Sequence, residues 1–145
     1  MSAEKRVAAA VATLVFKERR LLLGKRIING NFEGWQCPGG YLWVGESPQQ
    51  AARRHCLEKA GLQVHEMRNG PYTSNVFSNS PEVEHSVTLY QLTREFQILN
   101  PARFENAEAC WQWFELRQLP EPRFLPLELL IQQYDLQKLY QQTGE

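Results

Sequence analysis

The sequence has no long hydrophobic run and no net charge, and each absence excludes a class of protein. No stretch approaches the ~18 consecutive apolar residues of a membrane-spanning helix, and the opening MSAEKR lacks the apolar core of a secretory signal. Sixteen basic residues balance sixteen acidic ones, which argues against a polyanion-binding or membrane-attracting surface. The sequence therefore predicts a cytoplasmic protein that binds neither a membrane nor nucleic acid.

Cysteine is also scarce, with three in 145 residues. Cys37, Cys56 and Cys110 are odd in number, widely spaced and set in apolar contexts, and no CxxC pair occurs. They indicate reduced, buried thiols rather than a disulfide framework or a cysteine-based metal site. Because 145 residues can bury a sufficient core without such cross-links, we expect a single domain over residues 1–145.

The apolar patterning predicts strands and two helical regions. Six strands are expected, over residues 7–16, 21–26, 63–67, 72–77, 84–97 and 110–116. The third and fourth are separated because Gly70-Pro71 is a strand-breaking pair. In the fifth, alternation places Ser86, Thr88 and Tyr90 on one face. Apolar residues at helical spacing from Leu127 to Leu139 predict one C-terminal amphipathic helix.

Residues 34–62, GWQCPGGYLWVGESPQQAARRHCLEKAGL, are the most informative stretch. A short apolar strand breaks at Pro38-Gly39-Gly40, and a loop then leads into a helix. Ser47 is a good N-cap, Pro48 suits the first helical position, and Gly61 can take the left-handed conformation that ends a helix. A strand, glycine loop and helix direct backbone N–H groups and side chains to one small volume, which commonly holds phosphate.

This stretch resembles the signature of the Nudix family, G-x5-E-x7-R-E-U-x-E-E-x-G-U, in which U is a bulky aliphatic residue. The matching positions are Gly40, Glu46, Arg54, Glu58, Gly61 and Leu62. Two acidic positions differ, because His55 replaces the Glu after Arg and Lys59 replaces the second Glu of the pair. This signature, the Nudix box over residues 40–62, is therefore degenerate, and the helix within it is called the box helix. The resemblance implies an α/β fold, a Nudix-type α/β/α sandwich with a mixed β-sheet between helices.

The resemblance also implies an activity and its residues. Members with a complete box are Mg²⁺- or Mn²⁺-dependent pyrophosphohydrolases that cleave P–O–P linkages in nucleoside diphosphates linked to another moiety, such as nucleoside triphosphates. By this resemblance the catalytic candidates are Glu58, Arg54, Glu46 and His55. The metal-ligand candidates are Glu58 and the carbonyl of Gly39.

The two substitutions change the chemistry expected of the box. The family's three acidic helix positions share one face with a formal charge of about −3, whereas His55, Glu58 and Lys59 together are near neutral. At 4 Å one unit-charge interaction is worth roughly 4 kcal/mol at an effective dielectric of 20. Imidazole is also a poor ligand for Mg²⁺. We therefore expect weak or substrate-assisted metal binding, and impaired or altered catalysis.

Two compensations stay open at this point. In the first, Lys59 and protonated His55 contact phosphate directly, so that side-chain charge replaces metal charge. In the second, a base or ligand comes from outside the helix, for which the candidates are Glu84, His85, Glu105 and Glu108. Both helix residues also have a plainer interpretation, His55 as a surface residue of the helix and Lys59 as a solvated charge.

The remaining ligand-binding candidates surround the glycine loop. Gly39, Gly40, Lys59, Arg26 and Tyr41 are the expected substrate contacts. If a nucleobase binds, Tyr41, Trp43 or Phe77 can stack on it.

Three functions remain as hypotheses. The first is a Nudix hydrolase of nucleotides or nucleotide-derived small molecules with an altered metal site. The second is a non-catalytic binding module for a nucleotide or small ligand. The third is a dimeric structural partner that uses its tryptophan-rich strand as an interface, so a homodimer stays open.

Overall fold

The computed structural model describes residues 5–78, 83–104 and 110–144, with the backbone alone at residues 102 and 103. Its strands are β1 (Ala8–Lys17), β2 (Arg20–Ile28), β3 (Asn31–Gln36), β4 (Gly39–Tyr41), β5 (Leu62–Phe77), β6 (Glu84–Ile98) and β7 (Trp111–Glu115). Its helices are α1 (Pro48–His55), α2 (Leu125–Gln133) and α3 (Leu136–Gln142), with a π-helical turn over Cys56–Ala60 and a 3₁₀ turn over Pro101–Phe104. No helix within these ranges is long and apolar enough to cross a membrane.

The strands form one mixed sheet. Its main path runs β3-β2-β1-β6-β5, with β4 pairing to β1 and β7 pairing to β2. The β1–β6 pair is parallel, and the other pairs are antiparallel. Two strands can be parallel neighbours only when a long connection joins them, and here that connection includes the glycine loop and α1. The topology therefore places the loop and helix at the centre of the sheet.

Helices cover both faces of this sheet because β1 is apolar on both sides. Val11 packs with Ala51 and Ala52 of α1, on one face. Leu14 packs with Leu127 and Leu130 of α2, on the other. A strand buried on both faces reads as a continuous apolar run, which is how residues 8–16 read. The expected α/β/α sandwich with a mixed sheet is confirmed.

The start and end of the box helix follow the predicted signals. Ser47 Oγ accepts a hydrogen bond from the Gln50 amide at 3.1 Å, and Gln50 Oε1 accepts one from the Ser47 amide at 2.9 Å. Gly61 ends the helical segment with φ of 66°. The sequence gives no sign of the π-helical turn, which widens the last five residues while keeping Cys56 and Ala60 buried. The spacing of Glu58 and Lys59 therefore differs from that of a regular α-helix.

Three expectations are corrected. β5 runs unbroken through Gly70-Pro71, because a shift in its pairing with β6 between Asn69 and Tyr72 accommodates these residues as a bulge. The C-terminal helix is two helices, because Tyr134 is extended and the Asp135 side chain caps a new start. Finally, Cys110 is exposed rather than buried, and it lies just before the first residue of β7.

Candidate active site

A cleft of about 380 Å³ lies beside the glycine loop. Its floor includes Ala10 and Ala12 of β1, whose small side chains leave space above the sheet. Its lining includes the glycine loop, two cations, Lys59 and Arg26, and a group of aromatic and hydroxyl side chains. No Asp or Glu lines the cleft within the described residues. The cleft therefore suits an anionic ligand that also carries an aromatic or apolar group.

The predicted glycine loop is corrected to the short strand β4, in which the neighbours of Gly39 and Gly40 leave no room for a side chain. The name glycine loop is kept for residues 38–40. β4 pairs with β1 so that Gly40 lies opposite Val11 and Gly39 opposite Ala12. A Cβ on Gly39 would lie 2.9 Å from the Ala12 Cα, and one on Gly40 would lie 2.8 Å from His55 Nε2. Both distances are too short for real carbon contacts. The close approach brings the backbone of the loop to the cleft.

Arg54 and Glu46 fasten the segment that follows the glycines. Arg54 donates to both Glu46 carboxylate oxygens, at 2.8 and 2.9 Å, and to the carbonyl of Tyr41 at 3.1 Å. Its guanidinium also stacks on Trp43, 3.7 Å from the ring centre. The hydrogen bonds from Arg54, and then the one from the Trp43 amide, lower the pKa of Glu46 to about 2. Neither Arg54 nor Glu46 lines the cleft, so both position the loop.

Glu58 is largely exposed and is paired within its own helix. Its side chain is 53% exposed, and its carboxylate lies 3.8 Å from Arg54 Nη1. Glu58 does not line the cleft. The residue expected to be the main metal ligand is therefore paired with a cation of its own helix.

Lys59 lies in the cleft and uses the carbonyl expected to bind metal. Its ammonium donates a hydrogen bond to the carbonyl oxygen of Gly39. Partial burial, and then the positive charge of Arg26, lower the pKa of Lys59. The structure thus places Lys59 among the residues that line the cleft, where its side chain stays exposed to solvent.

The interpretation of His55 as a surface residue of the helix is wrong. His55 is only 7% exposed, and its Nε2 lies 2.9 Å from the Tyr41 carbonyl. A carbonyl accepts only, so Nε2 carries the proton and donates it. Burial is the main cause that lowers the pKa of His55. His55 is therefore a neutral imidazole that supports the glycine loop, which does not fit direct contact of protonated His55 with phosphate.

Arg26 and Tyr41 border the mouth of the cleft. The Arg26 guanidinium lies 4.2 Å from the centre of the Phe124 ring, and its Nη1 is 3.4 Å from Gln36 Oε1. Stacking on Phe124 holds the charge of Arg26 toward the cleft without a carboxylate partner among the described residues. Tyr41 is 61% exposed and lines the cleft.

The far wall contains Phe77, one of the predicted stacking residues, beside residues that sequence reasoning did not single out as a site. Ser86, Thr88 and Tyr90 of β6 line it, together with Phe77 and Phe124, whose rings stack at 5.7 Å. The alternation in β6 places the three hydroxyl residues on one face, and this pattern was the sequence signal that could have identified them. No sequence signal marked Phe124, because a long-range contact brings it to the cleft. Its amide donates a hydrogen bond to the Trp35 carbonyl at 2.9 Å.

Two of the four candidates from outside the helix are among the described residues, and neither lines the cleft. His85 Nε2 is 2.7 Å from Ser74 Oγ, and neither His85 nor Glu84 lines the main cleft. Glu105 and Glu108 lie outside the described residues.

The residues present do not fit the divalent metal that the resemblance implies. The Gly39 carbonyl accepts from Lys59, and Glu58 pairs with Arg54. Within the described ranges, no group of three or more His, Cys, Asp or Glu side chains could hold a metal ion. Mg²⁺ takes six oxygen ligands and is repelled by a nearby ammonium. The cleft has positive charge from Lys59 and Arg26, and its described lining lacks the carboxylates that would bind a metal ion.

Comparisons with solved structures show the fold. A MutT NUDIX hydrolase of Burkholderia pseudomallei superposes with a TM-score of 0.71 at 22% identity, covering 90% of this chain and 100% of that one. The mutator MutT protein of Bacillus halodurans gives 0.68 at 16% identity, covering 94% and 85%.

Comparisons of sequence show the family. A mouse protein named oxidized purine nucleoside triphosphate hydrolase is 30% identical over 107 residues, which span 74% of this chain and 65% of that protein. The match thus covers less than two thirds of the relative's length. A family model for the NUDIX domain matches residues 5–134. With that match over most of its length, and a MutT-like sandwich built round a recognisable box, the chain belongs to the NUDIX domain family.

Proposed function

We propose that this Nudix domain binds a nucleotide-type small molecule through its own cations, and hydrolyses P–O–P linkages far more slowly than a complete box would. The observation that carries the proposal is the hydrogen bond from the Lys59 ammonium to the Gly39 carbonyl. The side chain at a metal-binding position of the box is itself a cation, and it engages the carbonyl that the resemblance assigns to the metal. Lys59 and Arg26 then neutralise the phosphates.

The shape of the cleft supports a nucleotide as the ligand class. Lys59 lies at the glycine loop, Arg26 lies against the Phe124 ring, and Phe124 stacks with Phe77 in the same cleft. A volume of about 380 Å³ is within the usual range for small-molecule sites. The printed name of the mouse relative, an oxidized purine nucleoside triphosphate hydrolase, supports nucleoside triphosphates as the first compounds to test.

Slow hydrolysis follows from the same geometry. Attack on a diphosphate needs a positioned, activated water and stabilisation of the charge that develops. Lys59 and Arg26 supply charge, but no carboxylate lines the cleft in the described part of the chain. His55 lines the cleft, but its Nε2 donates to Tyr41, and its remaining lone pair, on Nδ1, is buried beside Gly40 and out of reach of a water. A group to activate water is thus missing from these residues.

The main experiment measures binding with and without metal. Isothermal titration with a panel of nucleoside triphosphates is run in EDTA and in Mg²⁺, using wild type, Lys59→Met and, as the matched control, Lys138→Met on the exposed face of α3. We expect similar affinity in both buffers. We also expect Lys59→Met to weaken binding about tenfold or more, the equivalent of about 1.4 kcal/mol, and Lys138→Met to leave it unchanged. Binding that requires Mg²⁺ would overturn the proposal.

Turnover is measured on the same panel and on nucleotide sugars with Mg²⁺ and Mn²⁺. We expect little phosphate release from wild type, and no further decrease in Glu58→Gln. Efficient, metal-dependent release that Glu58→Gln abolishes would instead establish the chain as a hydrolase with Glu58 as its ligand. That outcome would restore Mg²⁺ or Mn²⁺ use, which the residues present do not favour. Single-domain organisation over 1–145 and cytoplasmic location remain predictions.

A further inference from the structure

A buried side-chain amide donates hydrogen bonds to two hydroxyls of the far wall. Asn75 of β5 is fully buried. Its Nδ2 donates to Ser86 Oγ at 3.1 Å and to Thr88 Oγ1 at 2.9 Å, and its Oδ1 accepts from Thr73 Oγ1 at 2.8 Å. Both amide protons and the amide oxygen therefore have partners.

Counting partners fixes the orientation of this amide. If the group were rotated by half a turn, Nδ2 would face Thr73 alone, and one of its two N–H groups would be buried without an acceptor. A buried donor without a partner is strongly unfavourable. Thr73 has one proton and gives it to Asn75, so the Tyr90 hydroxyl, 3.4 Å from Thr73 Oγ1, is the donor of that pair.

The fixed amide sets the direction of hydrogen bonding at the wall. The oxygens of Ser86 and Thr88 accept from Asn75, so each hydroxyl still has a proton to donate. Neither proton has an acceptor among the described residues. Both side chains line the cleft beside the rings of Phe77 and Phe124. The far wall therefore presents two O–H donors to whatever ring packs there.

We propose that Ser86 and Thr88 select a nucleobase that presents a keto oxygen over one that presents an amino group at the same position. This inference rests on the proposed function, because it places the phosphates at Lys59 and Arg26 and the base at the far wall. A keto oxygen accepts from these hydroxyls, whereas an amino group can only donate to their remaining lone pair and leaves the O–H protons without an acceptor. A site built to donate rejects a partner that lacks the acceptor, since its polar groups are then left unpaired.

The first test uses two matched pairs of nucleotides in EDTA. Uridine and cytidine triphosphates differ by a keto or an amino group at one ring position, and inosine and adenosine triphosphates differ likewise. We expect the keto member of each pair to bind at least tenfold more tightly. Inorganic tripolyphosphate, which has no base, separates phosphate binding at Lys59 from base selection at the far wall. Lys59-dependent tripolyphosphate binding with no keto preference would overturn this inference alone, whereas no binding of any probe would overturn the proposed function as well.

Two substitutions test whether the hydroxyls carry the preference. Thr88→Val keeps the shape of the side chain and removes one donor, so the keto-to-amino ratio should fall severalfold while tripolyphosphate affinity is unchanged. Asn75→Asp replaces the amide donor by an acceptor. The Ser86 and Thr88 protons then turn toward the carboxylate, and the preference should shift toward amino-bearing bases. If Asn75→Asp does not fold, Thr88→Val decides, because an unchanged ratio in that variant would show that the wall does not select the base.

Discussion

At the scale of single residues, the box shows how one side chain can take over the place of an ion. Lys59 stands at a position where complete boxes have a carboxylate, and its ammonium engages the Gly39 carbonyl. His55 stands at another such position and has become a buried support under Gly40. The two substitutions therefore have different consequences, one for ligand charge and one for loop packing.

The fit between Gly40 and His55 gives the first prediction. Gly40→Ala places a methyl group against the imidazole, and overpacking of this kind costs about 1–3 kcal/mol of unfolding free energy. The penalty should be clearly smaller when His55 is also replaced by Ala, because the ring that causes the clash is gone. Urea unfolding of the single and double variants measures this. Equal penalties in both backgrounds would show that the ring is not what excludes the side chain.

The buried imidazole gives a second prediction, on pH. The pKa of His55 is lowered in the folded state, so below about pH 6.5 the unfolded chain binds the His55 proton first. The free energy of unfolding should therefore fall as the pH drops from 6.5 through the lowered pKa, and should not change from this source above pH 7. Urea titrations across pH 5–8 compare wild type with His55→Gln, which should lose part of the slope. His65→Gln is the control, and an equal slope in wild type and His55→Gln would contradict the argument.

At the scale of elements, the sequence predicted where the box helix begins and ends, but it did not predict the π-helical turn inside it. Ser47, Pro48 and Gly61 act through local backbone geometry, so their effect can be read from the sequence. The π-helical turn depends on how Cys56 and Ala60 pack against the sheet, which only the tertiary structure determines. That turn also changes the spacing on which the expected carboxylate face was based.

The same distinction explains the errors elsewhere. Gly70-Pro71 reads as a strand break, but the partner strand β6 is long and regular, so β5 passes through the pair as a bulge. The apolar spacing from Leu127 to Leu139 continues across Tyr134, so periodicity alone could not show that the helix divides there. In both cases pairing or packing with another element overrides a local signal.

The box helix gives a third prediction. His55→Glu with Lys59→Glu removes the ammonium from the Gly39 carbonyl and returns two carboxylates to the helix. Mn²⁺ affinity should rise by at least an order of magnitude, since one cation becomes an anion close to the ion. Titration of Mn²⁺ by electron paramagnetic resonance measures it, with Lys138→Glu as a control for the lysine-to-glutamate change at an exposed site outside the cleft. Unchanged affinity in a folded double variant would show that this helix does not form the site.

At the scale of the whole molecule, a neutral composition hides an uneven distribution of charge. The chain has equal numbers of acidic and basic residues, yet the described lining of the cleft contains two cations and no carboxylate. Sequence reasoning identified both cations and the glycines, because a family pattern or a strand end marked them. It did not identify Asn75 or Phe124 as parts of the site, since long-range pairing brings them there.

The fourth prediction concerns the three thiols of the folded molecule. Cys37 and Cys56 are buried, and burial raises the pKa of both, to about 11 for Cys56. Cys110 is exposed. A thiol reagent such as DTNB should therefore react rapidly with one thiol per native chain, and with all three in denaturant. Cys110→Ser should abolish the rapid phase, whereas rapid reaction of more than one thiol would show that the core opens readily.

The Lys59–Gly39 contact has a consequence for how the site responds to its surroundings. A metal-dependent site must assemble from three components, and its occupancy follows the free concentration of the ion. An ammonium attached to the chain is present at a very high local concentration and does not dissociate. Under the proposed function, ligand binding then needs no metal ion held by the protein. A chelator should therefore not abolish it.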